Sequence, residues 1–368
     1  MKILQIYNSA AHYRDSIFRL IDATFDCDFI FGANLGDIKQ MDTSTFRGHV
    51  TKVQNYFVSG HWYWQKGVQK FLRKKYDSFI ILGDIHCLST WLFCVRARLF
   101  YRSKKIFFWT HGWYGKETRM EALIKKLFYH LANGGIFLYG SYARDLMIKE
   151  GFQAEKLHVI HNSLSYDNQL ALRSRLIKTS IYKERFGNDD PILFFVGRLT
   201  QVKHLDLLMQ ALYLLRQKGK QFNMVLVGDG SQRNILHKLS QEMNLSSRIW
   251  FYGPCYDDNH LGELIYNADL CVSPGNVGLT AIHSMVFGTP VLTHDDFSWQ
   301  MPEFESIKDG KTGTFFKRNN IESLAEAIEK WFTQPEYDRE VIRKNCFHEI
   351  DEYWTPQFQL QVLKEYLQ

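Results

Sequence analysis

The sequence predicts an α/β chain of two doubly wound domains, each a mostly parallel sheet covered by helices, on three observations. Short apolar runs alternate with amphipathic stretches along the whole chain, the pattern of strands buried on both faces with helices laid over them. In the second half, five consecutive apolar runs each end in a glycine, a proline or a polar turn, which marks the strand edge where such sheets bind ligands. The length, 368 residues with 45% hydrophobic content, suits two cores rather than one or three.

Taken in order, the expected strands of the first half are residues 3–7, 27–31, 79–82, 106–109, 136–139 and 158–160, with helical patterns at 16–23 and 120–131. The polar segment 167–186 carries no strand signal and is where the chain is expected to cross between domains. The expected division is 1–170, 171–345 and a final segment, 346–368. The second half repeats the pattern. Residues 192–196 run into Gly197-Arg198, 224–227 into Gly228-Asp229-Gly230, 249–251 into Gly253, 270–273 into a glycine turn, and 291–293 into a polar loop. Two such domains in one chain are expected to form a cleft, the usual place for a substrate.

Composition excludes several classes. No apolar run approaches the ~18–20 residues of a membrane span, and Met1-Lys2 leads straight into an apolar strand, so a soluble, cytoplasmic protein is expected. The six cysteines form no C-x-x-C pair and lie mostly in apolar runs, as reduced buried thiols do. There is no metal-ligand spacing, no P-loop and no dinucleotide fingerprint: Asn8-Ser9-Ala10-Ala11-His12 after the first strand lacks glycine, and Gly228-Asp229-Gly230 lacks its third. Neither a metal nor a resident cofactor is expected. Asp26-Cys27-Asp28 opens a strand instead of ending one, and is read as solvated.

The stretch Cys271 to Leu292 organises the second half: strand, glycine turn at Gly275 and Gly278, a helix of about two turns, Gly288, and a second strand. A helix starting after a glycine turn offers unpaired N–H groups and a positive dipole end, which suits a phosphate over Gly278, Leu279 and Thr280. An ordinary strand–helix turn without a ligand has the same signature. More specific is an ordered set: Gly197-Arg198, Lys203, Val227-Gly228-Asp229-Gly230, Ala268-Asp269-Leu270, Gly278-Leu279, Gly288-Thr289-Pro290-Val291, Pro302-Glu303 and Asp309-Gly310-Lys311-Thr312-Gly313. In order and spacing this set resembles the C-terminal domain of glycosyltransferase family 4, over roughly residues 190–335. In the first half the likeness is thinner and rests on Thr110-His111-Gly112.

The resemblance implies a GT-B fold of two Rossmann-like domains, with the C-terminal residues crossing back onto the first. It implies transfer of a sugar from a nucleoside diphosphate sugar to a hydroxyl of a glycan or lipid-linked glycan, with retention and without a metal. Arg198 and Lys203 would stabilise the leaving pyrophosphate, and His111 would touch the donor sugar. Gly197, Gly253, Asn276, Gly278, Leu279 and Thr280 would line the donor site; His12, Tyr13 and Arg14 are the expected acceptor contacts. The sequence departs from the family where two glutamates eight positions apart are usual, since Gly275 and His283 stand there. A neutral His283 can still accept a ribose hydrogen bond, and Glu303 or Glu305 could supply a carboxylate near the sugar. Alternative readings are an epimerase or phosphorylase on the same architecture, or a binding scaffold without catalysis.

Charge divides unevenly. Residues 1–180 carry 26 Lys and Arg against 14 Asp and Glu, while residues 181–368 carry 19 against 25. The basic excess gathers near aromatics around Trp62–Lys75, Trp91–Lys105 and Lys125–Tyr129, and no nucleic-acid motif accompanies it. Read as amphipathic basic helices, these stretches fit reversible association with an anionic membrane that presents a lipid-linked acceptor; read singly, each is a solvated face over core aromatics.

Overall fold

Two parallel sheets, each with its own hydrophobic core, account for the alternation of apolar runs. The computed structural model describes residues 1–33, 39–335 and 337–367. The chain divides into two units, Met1–Ser165 together with Thr355–Gln368, and Tyr166–Trp354.

The first unit holds β1 (Lys2–Tyr7), β2 (Asp26–Ala33), β3 (Val50–Ser59), β4 (Trp62–Gln65), β5 (Ser78–Leu82), β6 (Lys105–Thr110), β7 (Gly135–Leu138) and β8 (Leu157–Val159). They are ordered β4-β3-β2-β1-β5-β6-β7-β8, parallel except for the β3–β4 hairpin. The order turns outward in both directions from the β1–β5 pair, so the crevice beyond their C-terminal ends is the switch point. Helices at Asp15–Thr24 and Arg119–Tyr129 fall where the helical patterns predict them.

The β3–β4 hairpin was not expected. β3 leaves most of its residues exposed and β4 is only four residues long, so neither reads as a buried apolar run. Trp62–Trp64 therefore belongs to an edge strand and Val68–Arg73 to a 3-10 turn, not to an amphipathic helix. Asp28 is also not solvated. It is 9% exposed, accepts from Tyr76 Oη at 2.7 Å and the His49 N–H at 2.9 Å, and pairs with Lys2 at 3.2 Å. Burial alone would raise its pKa, but these contacts outweigh it and hold the carboxyl below the usual range.

The second unit holds β9 (Ile192–Val196), β10 (Asn223–Val227), β11 (Ile249–Gly253), β12 (Leu270–Ser273), β13 (Val291–His294) and β14 (Gly313–Phe316). They are all parallel, in the order β11-β10-β9-β12-β13-β14, with the switch point between β9 and β12. The polar segment after residue 166 forms two short helices of this unit, Tyr166–Arg173 and Ile181–Phe186.

The helix Arg339–Tyr353 belongs wholly to the second unit. Arg339 donates to the carbonyls of Gly288 (2.5 Å) and Ala268 (2.8 Å), Arg343 to that of Tyr266 (3.3 Å), and Arg173 pairs with Asp351 at 2.8 Å. The return to the first unit thus starts at Thr355 instead of residue 346. There, the helix Pro356–Leu367 buries Leu363 and Leu367 against Ile17, Phe18 and Ile21. Gln359 accepts from Ser163 Oγ at 2.6 Å and donates to the His161 carbonyl at 2.9 Å.

Buried histidines make the fold acid-labile. His158, stacked on Tyr366 at 3.6 Å, and His294 are both lowered from 6.5 to about 4, chiefly by burial. The unfolded chain takes up their protons first, so their contribution is complete above pH ~6.5 and is lost as pH falls toward 4. Melting temperature should therefore drop across that window, and His158→Gln with His294→Gln should flatten the slope; an unchanged slope in calorimetry would contradict this assignment.

Candidate functional site

The C-terminal ends of β9 and β12 carry the charged residues of the second unit. Beyond β9 the chain runs through Gly197 and Arg198 into a 3-10 turn, Gln201–Lys203, whose last residue folds back on the loop after β12. Lys203 Nζ donates to the Asn276 carbonyl at 2.6 Å and to its side-chain Oδ1 at 2.9 Å, while the Gly275 N–H donates to the Lys203 carbonyl at 3.0 Å. Burial lowers the Lys203 pKa to about 8; the Glu303 carboxylate opposes the shift and the Arg198 guanidinium adds to it. Arg198 itself is exposed and has no ion-pair partner among the described residues. The structure thus brings Arg198, Lys203, Asn276 and Glu303 together.

Gly278, at φ 54°, turns the chain into the helix Thr280–Val286, with Leu279 at its cap. First-turn amides have no intrahelical acceptor, so N–H groups are available here as expected. The Thr280 hydroxyl is committed, because it donates to the Val196 carbonyl at 3.0 Å and ties the helix to the end of β9. His283, one turn on, is lowered to about 4 by burial, with Asp258 acting weakly against it, and is neutral at physiological pH. Gly197 and Gly253 serve backbone packing: Gly197 N–H donates to the Val227 carbonyl at 3.0 Å, and the Gly253 carbonyl accepts from Gly228 at 2.8 Å. Of the two loop glutamates, Glu303 is the one whose charge acts on Lys203. Glu305 is half-buried and its carbonyl is held by Lys308 at 2.7 Å.

At the switch point of the first unit a cavity of about 350 Å³ opens, lined by Tyr7, Asn8 and Ser9 after β1, Gly83, Asp84 and His86 after β5, and Thr110, His111 and Gly112 after β6, with Tyr13, Arg14 and Lys125 among its other walls. Gly112 takes φ 71°, and a Cβ there would meet Leu138 Cδ2 at 2.7 Å. Lys125 fixes this turn, donating to the Gly112 carbonyl at 3.0 Å and to Glu117 at 2.6 Å. His111 packs on Tyr139 at 4.8 Å and is lowered to about 4 by burial and by the charges of Arg14 and Lys125, so its ring is neutral. Of the three expected acceptor residues, Tyr13 and Arg14 line the cavity, whereas His12 is exposed and outside its lining.

Residues 177–346 match the family described as glycosyl transferases group 1. The matched segment lies within the second unit. Among curated relatives, the putative glycosyltransferase EpsD of Bacillus subtilis is 28% identical over 162 residues, covering 43% of this chain and 41% of that protein. The alpha-D-kanosaminyltransferase of Streptomyces kanamyceticus is 28% identical over 168 residues, covering 45% and 42%. The match thus spans less than half the length of these relatives. Solved structures extend the likeness of fold to the whole chain. Anabaena HepE in complex with UDP superposes with a TM-score of 0.72 over 99% of both chains at 16% identity, and the lipopolysaccharide outer core galactosyltransferase WaaB with 0.73 over 100% and 99% at 15%. The architecture is that of the GT-B glycosyltransferases.

The glycine at 275 has a steric cause. A Cβ on Gly275 would lie 2.0 Å from the Val202 carbonyl oxygen and 2.8 Å from Lys203 Cα, both backbone atoms. Sequence reading missed Asp84, His86, Tyr114 and Lys125. The signal for Asp84 was present, since Gly83-Asp84 ends an apolar run as the second-half turns do; Lys125 lies mid-helix and reaches the site only through the fold.

A side chain at 275 should break this junction. Gly275→Ala, and Gly275→Glu more so, should displace the Lys203 turn and lower the melting temperature. Scanning calorimetry measures this, and a wild-type melting temperature in both variants would show that the turn does not need the glycine.

Proposed function

We propose that this protein is a glycosyltransferase that moves a sugar from a nucleoside diphosphate sugar to a hydroxyl of a glycan or lipid-linked glycan, with retention and without a metal. The observation that carries the reading is the placement of Lys203, pinned on Asn276 beside Arg198 and Glu303 at the switch point of the unit that holds the group 1 glycosyl transferase match. UDP in the HepE complex supports a nucleotide sugar as donor.

In this reading the bond from the sugar's anomeric carbon to the diphosphate oxygen breaks, and the acceptor oxygen attacks on the same face. The acceptor's proton passes to the departing phosphate. Arg198 grips the phosphate oxygens bidentately and Lys203 acts as a point charge, stabilising the negative charge as it grows. Their two charges do the work for which a metal would otherwise serve. Free N–H groups at Gly278 and Leu279 add donors to the same oxygens. Neutral His283 accepts from a ribose hydroxyl and Glu303 takes the place of the absent glutamate near the sugar, while neutral His111, in the first unit, is a hydrogen-bonding group for a sugar hydroxyl.

Arg198→Ala and Lys203→Ala should each lower turnover by about a hundredfold or more, with protein stability little changed for exposed Arg198. Steady-state assays of nucleotide release against a panel of nucleotide sugars provide the check, and wild-type turnover in both variants would rule out the phosphate role.

The acceptor side faces a membrane in this reading. No helix among the described residues is long and apolar enough to cross one. The helix Leu88–Phe100 exposes Leu92, Val95 and Leu99, and the helix Arg119–Tyr129 exposes Met120, Leu123 and Leu127, in each case one stripe at helical spacing. The helices adjoin, with Trp91 packed on Phe128 at 4.9 Å and Arg98 donating to the His130 carbonyl at 3.3 Å. Two neighbouring apolar stripes flanked by Arg96, Arg98, Arg119 and Lys126 suit the headgroup region of an anionic bilayer. These stripes support the reading of a lipid-linked acceptor and of surface-polysaccharide assembly at the inner face of the cytoplasmic membrane. The protein should float with anionic vesicles and not with neutral ones, less so at high salt, and Leu99→Glu with Leu123→Glu should abolish flotation. Failure to bind anionic vesicles at low salt would exclude the membrane.

A further inference from the structure

Arg14 is a buried cation without a counter-ion. Its residue is 8% exposed, and a guanidinium stays protonated wherever it lies. Rings of Tyr7, Tyr13, Trp109 and Tyr139 surround it, at 5.1, 5.6, 5.9 and 5.4 Å from its central carbon. Rings attract the charge through its face; they accept nothing from its N–H edge. The one hydrogen bond it makes among the described residues goes to Tyr139 Oη. The adjacent acid, Asp15, is held by Arg19 at 2.7 Å. A buried charge left in this state is costly unless a partner arrives.

The open side of Arg14 is the first-unit cavity, and two further observations point to a ligand there. The Tyr7 hydroxyl, on a residue 1% exposed that lines the same cavity, has the buried Gln5 side chain beside it and makes no hydrogen bond of normal geometry among the described residues. Lys125, the other long cation in the wall, is already engaged by Glu117 and the Gly112 carbonyl. Asp84 is held by Tyr63 at 3.0 Å and His86 at 3.1 Å, which leaves a polar wall suited to sugar hydroxyls.

We propose that this cavity binds an oxyanion, a phosphate or a carboxylate carried by the acceptor sugar, with Arg14 as the group that reads it and the Tyr7 hydroxyl as a second donor. The acceptor is then a charged saccharide. The assignment to the acceptor rests on the glycosyltransferase reading; the oxyanion site itself does not.

The test uses thermal shift on the full chain at matched ionic strength, with and without saturating UDP, and with inorganic phosphate, glucuronate or glucose as probe. Phosphate and glucuronate should each raise the melting temperature by ~3 °C near saturation, on top of any UDP effect, while glucose does not. Lys203→Ala should keep the response, Arg14→Lys should weaken it, and Arg14→Gln should remove it. No anion response in the wild type, a glucose response equal to that of glucuronate, or a response that vanishes with UDP or in Lys203→Ala would each overturn the site, the last by placing the anion in the second unit. Because the wild type and Lys203→Ala decide the matter, a poorly folding Arg14→Gln does not blunt the test. Failure of UDP alone to bind would instead count against the donor reading.

Discussion

The absence of a side chain at residue 275 is the constraint on which the candidate donor site depends. Two turns from different strands, Gln201–Lys203 after β9 and Gly275–Asn276 after β12, meet backbone to backbone, with the Gly275 N–H on the Lys203 carbonyl at 3.0 Å. Only that approach lets the lysine chain curl over the junction and rest on Asn276. Thr280 clamps the same junction from the helix side by bonding the last carbonyl of β9. A cation held this way loses little conformational freedom on meeting a phosphate, which is what preorganised electrostatic catalysis requires.

Each unit places its polar residues at its own topological switch point, by one device. A strand delivers a buried run, and a glycine or a short turn then breaks regularity and presents side chains to the crevice. The two sites differ in electrostatic character. In the second unit, Arg198 and Lys203 lie near a buried carboxylate, and burial, against the pull of that carboxylate, lowers the Lys203 pKa to about 8. In the first, a neutral His111 sits among aromatic rings with a guanidinium that lacks a carboxylate. One arrangement pairs two cations with a carboxylate, the other sets a lone guanidinium among rings.

Much of the fold was legible because β1, β5, β6, β9, β10 and β12 are buried on both faces and read as continuous apolar runs. The β3–β4 hairpin and β14 were not, because they mix polar and apolar residues and give no continuous apolar run. The site divides along similar lines. Arg198, Lys203 and His111 could be found because each follows a buried strand directly. The placements of Lys125 and Arg14 depend on residues far away in sequence, Gly112 and Tyr139, and no local pattern encodes that closeness. Conversely, His12 was read into the site from its place after β1, but the 3-10 turn His12–Arg14 carries Tyr13 and Arg14 to the cavity and leaves His12 exposed.

The central claim is that the loops after β9 and β12 jointly hold the diphosphate of a nucleotide sugar. Amide hydrogen exchange with and without UDP tests it most directly, because each loop yields its own peptides. The account requires that UDP slow exchange in residues 197–203 and 275–284 together, and that Lys203→Ala lose the protection in both. Protection confined to one loop, or appearing only outside these two, would contradict it.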